Sequence, residues 1–171
     1  MTYTRFLAMI AATTILMYAL MYLNVFVVDH IWFSQTRLWM ALIMGAAMAV
    51  VMLAFMWGMF ANSRLNIAIV TGGAAVFLLS LWLVRSQRTV SDVAYMKAMI
   101  PHHSIAILTS ERARLHDPRV RHLADGIIRA QVKEIAEMTA LISDLEHNPL
   151  SKGAPDIPSY RQRGAPPPKP E

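Results

Sequence analysis

A chain of 171 residues has room for one modest domain, yet 56% of this one is hydrophobic and its mean hydropathy is +0.40, more apolar than a soluble domain of that size. The net charge of +5 does not mark a nucleic-acid binder, because the basic residues of the C-terminal half alternate with Asp and Glu instead of running together. With no cysteine, disulfides, thiolate metal sites and Cys nucleophiles are excluded, and any soft-metal chemistry falls to Met and His.

Charge divides the chain near Arg85. Residues 1–84 carry Arg5, Arg37, Arg64 and Asp29 and no other Asp, Glu, Lys or Arg, whereas residues 85–171 carry thirteen basic and ten acidic ones. The first part holds three apolar runs, Phe6–Val28, Leu38–Phe60 and Ile67–Val84, of 23, 23 and 18 residues, none containing Asp, Glu, Lys, Arg or His. Each approaches the ~20 residues a helix needs to cross ~30 Å of hydrocarbon. We therefore expect a membrane domain over residues 1–88, with helices at about 6–28, 38–60 and 67–84. The first run is too long for the roughly 7–15-residue apolar core of a secretory signal. Trp32, Phe33, Trp39, Trp57, Phe60 and Trp82 fall near the ends of the runs, where amphipathic rings favour the headgroup region.

Three spans place the loop Asp29–Arg37 on the same side as everything after Arg85. The flanking arginines, Arg5 and Arg64 on one side and Arg37, Arg85 and Arg88 on the other, leave open which side that is. Asp29 and His30, just outside the first run, are a candidate site at the membrane surface. In the second run Met40, Met44, Met48, Met52 and Met56 recur every fourth residue and form one slowly turning stripe. It reads either as a thioether track for a soft cation or as adaptable packing between helices. No charged or imidazole group accompanies it, which favours packing. Ala41, Gly45 and Ala49 form a second, small-residue face that allows close helix approach.

Beyond the runs, Ser91 and Asp92 open a helical pattern that reaches about Leu115, with Pro101 either kinking it or joining two pieces. Asp117-Pro118 opens a second helix that runs to about His147 before Pro149. The short link between them predicts an antiparallel hairpin over residues 89–148. Two helices cannot enclose a core of their own, so a homodimer closing a four-helix bundle is expected. Residues 149–171, rich in Pro and polar residues, read as a disordered or polyproline-like tail. The fold class is thus all-α, three transmembrane helices followed by the hairpin.

Within the hairpin, Met96, Met99 and His103 share one face at i, i+3 and i+7, and His102 borders it. Imidazole and thioether donors suit copper, and thioether in particular selects Cu(I) or a similarly soft ion. On the second helix Gln131, Glu134 and Met138 share a face and are placed to add a ligand or an acceptor that orients an imidazole. His116, His122 and His147 lie at helix ends or among charges and read as solvated. No Gly-rich phosphate loop, nucleophile elbow, HExxH or di-iron ExxH spacing is present, so no catalysis is expected.

The stretch Tyr95-Met96-Lys97-Ala98-Met99-Ile100-Pro101-His102-His103, followed by Ala106-Ile107, Ala130-Gln131 and Glu134-Ile135-Ala136-Glu137-Met138, resembles the family called domain of unknown function 305. The resemblance spans roughly Val90 to Leu145. It implies a ferritin-like helical bundle and extracytoplasmic binding of copper or silver ions through Met96, Met99, His102, His103 and Met138. Two positions depart from the family pattern: Ser104 stands where Gln often follows the His pair, and Thr109 where a further Met often occurs. The expected protein is a dimeric binding protein anchored in the plasma membrane. It would hold Cu(I) or Ag(I) in metal homeostasis or tolerance. The rival expectation is a structural or interaction module, or an accessory subunit of a transporter, with no metal site.

Overall fold

The computed structural model describes residues 2–151, 153–159, 162 and 164. Among these there are five α-helices and no strand: α1 Tyr3–Leu20, α2 Gln35–Phe55, α3 Ser63–Ser86, α4 Asp92–Arg112 and α5 Pro118–His147. Each starts at a side chain that accepts one of the otherwise orphaned backbone N–H groups, namely Thr2, Ser34, Asn62, Ser91 and Asp117. Pro118 follows its cap at the first helical position, where its missing N–H costs nothing. Pro101 lies inside α4, which continues through it as one helix, and its ring is buried.

α1, α2 and α3 are each long and apolar enough to cross a membrane. α2 packs against both of the others through buried Ala41, Gly45, Ala46, Ala49 and Leu53. At Gly45 a Cβ would sit 3.1 Å from Thr14 Cγ2 and closer still to Thr14 Oγ1, so α1 approaches here at a distance only glycine permits. The Thr13 and Thr14 hydroxyls donate back to the Met9 and Ile10 carbonyls at 2.7 and 2.8 Å, which leaves no polar demand on an apolar face. Phe6, Leu53 and Phe60 form a buried cluster at the far end, with Met9, Met52 and Met56 packed on it. Beside it fully buried Asn66 accepts from Tyr3 Oη at 2.7 Å and donates to the Phe60 carbonyl.

Two of these helices end earlier than their apolar runs. α1 stops at Leu20, well before Val28, and α2 stops at Phe55, before Phe60. After α1 the chain turns because it finds better hydrogen bonds outside the helix. The Met21 carbonyl accepts from Arg37 Nη1, and Tyr22 Oη accepts the Ser34 N–H at 3.0 Å. Hydropathy registers the apolar residues of 21–28 but not this route.

α4 and α5 pair as an antiparallel hairpin around Met96, Ile100, Ile107, Ile135 and Ile142. The hairpin is not alone. Trp32, from the loop between α1 and α2, packs on this core, and Lys97 lies 5.4 Å from the Trp32 ring centre while pairing with Glu146 at 2.6 Å. The loop thereby supplies a third element that the pattern of the two helices does not announce. Of the expected tail, residues 149–151 and 153–159 are in no helix or strand, and the rest of the expectation falls largely outside the described residues.

Candidate metal centre and the seams of α4

The six expected metal residues sit on three differently occupied faces of the hairpin. Met96 is buried in the core, with Met138 from α5 packed against the same cluster. His103 borders the hairpin seam, and its Nε2 lies 2.7 Å from Glu134 Oε2 across it. Its Nδ1 lies 2.8 Å from the Met99 carbonyl. Each ring nitrogen thus faces an acceptor oxygen, and in this arrangement neither offers a lone pair outward. Met99 and exposed His102 face away from the seam, into a cleft shared with Arg37 and Gln87.

The structure therefore brings His103 and Glu134 together and puts Met96 and Met138 in the hairpin core, Met96 two helical turns from His103, while the His102 ring, 6.2 Å from that of His103, and Met99 line the cleft. Among the described residues no three His, Asp or Glu side chains gather closely enough to hold an ion by themselves. Soft-metal binding at the seam has the needed ingredients in part: one imidazole, an anionic neighbour that can orient it, and two thioethers. It requires the His103 ring to leave the Met99 carbonyl. Gln131 Nε2 lies 3.4 Å from Glu134 Oε2, adding a donor to the same carboxylate. Thr109, at the position of a missing Met, donates to its own helix at the Ile105 carbonyl and is exposed.

Ser104 has a role the sequence does not reveal. Its Oγ is fully buried, accepts the Phe26 N–H at 2.7 Å and lies 2.8 Å from His30 Nδ1. One hydroxyl thus holds both the Phe26 N–H and the His30 ring nitrogen, joining two points of the α1–α2 loop to α4. Burial pushes the His30 imidazole below its ordinary value of 6.5, with Asp29 pulling the other way. His30 accordingly fastens the α1–α2 loop to α4, while Asp29 beside it is exposed. A Gln at 104 would place a longer side chain in this fully packed contact, which accounts physically for the small residue.

Residues 92–167 match the family described as domain of unknown function (DUF305). The matched segment takes in α4, α5 and part of the tail, and leaves α1–α3 outside. An uncharacterised protein of Acanthamoeba polyphaga mimivirus is 37% identical over 71 residues, which cover 40% of this chain and 47% of that protein. The chain thus spans about half the length of this curated relative. No solved structure matches the chain.

Proposed function

We propose that the protein is a membrane-anchored binding protein for a soft cation, Cu(I) or Ag(I), acting in metal homeostasis or tolerance. The His103–Glu134 contact at 2.7 Å carries the reading. It sets an imidazole and a carboxylate across the seam that borders the core holding Met96 and Met138, and the carboxylate offsets the charge of an incoming cation. In this reading His103, Met96 and Met138 are the donors and Glu134 orients the imidazole, while Met99 and His102, which line the neighbouring cleft, contribute less. α1–α3 span the plasma membrane, with the DUF305 segment on the extracytoplasmic side, where a thiolate-free donor set is at home. A homodimer is part of the proposal: Val120, Leu123, Ile127 and Leu141 of α5 are 46%, 63%, 37% and 52% exposed and share one side of the helix, an apolar flank suited to a second ferritin-like hairpin.

The test is competition for Cu(I) between the full-length protein in detergent and a chromophoric chelator. His103→Ala and Met138→Leu are expected to weaken binding at least tenfold, while His102→Ala has a smaller effect. No saturable uptake by the unsubstituted protein, or equal uptake by His103→Ala, would overturn the reading. A second reading, a structural module without metal, is favoured by the core positions of Met96 and Met138 and by the two satisfied nitrogens of His103. It expects His103→Ala to lower the unfolding temperature and leave metal uptake unchanged.

A further inference from the structure

We propose that the cleft between α4 and the ends of α2 and α3 is a binding site for a phosphate oxyanion, with Arg37 as its principal charge. The cleft encloses about 250 Å³ and is lined by Thr36, Arg37, Gln87, Tyr95, Met99 and His102 among others; no Asp or Glu is among them.

Arg37 is the decisive residue. One guanidinium nitrogen donates to the Met21 carbonyl, and the group lies 4.4 Å from the centre of the Tyr22 ring, so its head is held in one place. Among the described residues no carboxylate lies within ion-pair distance of it. A half-buried guanidinium with a carbonyl and a ring for company, and further N–H donors unassigned, is short of an anion. The surrounding groups complement an oxyanion. Thr36 and Tyr95 bring hydroxyls that take part in no hydrogen bond among the described residues, Gln87 brings an amide, and His102 brings an exposed imidazole. The same charge disfavours a metal cation here, which separates this cleft from the His103–Glu134 seam.

The level of the cleft bears on the source of the phosphate. α2 begins at Gln35 and α3 ends at Ser86, so on the membrane reading of these helices the cleft opens where both spans leave the hydrocarbon, at headgroup depth. A phospholipid headgroup and free phosphate share the chemistry, and the experiment separates them. The inference rests on the membrane reading only for its lipid arm and is independent of the metal reading.

Native mass spectrometry of the full-length protein in detergent, titrated with short-chain phosphatidylglycerol and separately with inorganic phosphate, provides the readout. One phosphatidylglycerol is expected to be retained in preference to a diacylglycerol of the same chain length. Arg37→Gln should weaken retention by about tenfold, as for the loss of a charge-assisted hydrogen bond. Thr36→Val, which leaves the Met21 and Tyr22 contacts of Arg37 in place, should weaken it about threefold, as for a neutral one. Displacement by inorganic phosphate at concentrations matching the lipid identifies free phosphate as the ligand; displacement only by lipid identifies the headgroup. Equal retention of diacylglycerol and phosphatidylglycerol with no phosphate uptake, or retention unchanged in Thr36→Val and in folded Arg37→Gln, overturns the proposal. Flotation of the protein with vesicles at alkaline pH reports separately on the membrane reading.

Discussion

Replacing Ser104 by Ala is expected to loosen the α1–α2 loop from α4 without unfolding either. The substitution removes only an oxygen, so it leaves no cavity of consequence and the effect is confined to hydrogen bonds. Two are lost, one from the Phe26 N–H at 2.7 Å and one shared with His30 Nδ1 at 2.8 Å, both centred on a residue with no solvent exposure. Phe26 and His30 are themselves partly accessible, so water can recover some of the loss; the net cost is about 2 kcal/mol, within the range for orphaned partners of a buried group. That corresponds to a shift of about thirtyfold in the docking equilibrium. Amide hydrogen exchange by mass spectrometry reads it directly. Peptides covering residues 25–33 and the adjoining turns of α4 should exchange about thirtyfold faster in Ser104→Ala, while α2 and α3 are unchanged. Ser104→Thr, which keeps the hydroxyl, should restore part of the protection. Unaltered exchange over 25–33 in Ser104→Ala would refute the assignment of Ser104 as the fastening point.

The same contact carries a pH dependence. Because the folded protein holds His30 below 6.5, the unfolded or undocked state binds more protons, and stability rises with pH. Docking is therefore complete above 6.5 and lost as the pH falls from there through the folded value; Asp29, the charged neighbour, opposes this, and His30→Gln should abolish the dependence in exchange of residues 25–33. Trp32→Ala removes the loop's contribution to the hairpin core and the ring under Lys97, and should lower stability by about 3 kcal/mol, measured by denaturant unfolding of the full chain. Gly45→Ala forces a Cβ onto Thr14 and should lower the thermal stability of the α1–α2 pair by roughly 1–3 kcal/mol. Combining it with Thr14→Ala should recover much of that loss, and a purely additive double variant would show that the two helices do not meet there.

The helical content, the three long apolar helices and the hairpin are properties of local sequence. Asp117-Pro118 specifies the start of α5 at the residue, because cap chemistry acts within one turn, and the apolar runs identify α1–α3 because exclusion of charge needs no knowledge of neighbours. The small face Ala41, Gly45 and Ala49 was equally legible, since its spacing alone puts those residues on one side. Tertiary structure decided what lies between such segments. Met96, Met99, His102 and His103 are neighbours along α4, yet a helix one residue further on turns by about 100°, and what each face meets is set by other elements. Here one face meets α5, one the returning loop and one the ends of α2 and α3, so Met96 and His103, Ser104, and Met99 with His102 enter three environments. Ser104 and Trp32 acquire their roles through partners more than sixty residues away in the chain, and no period or cap motif records such a distance.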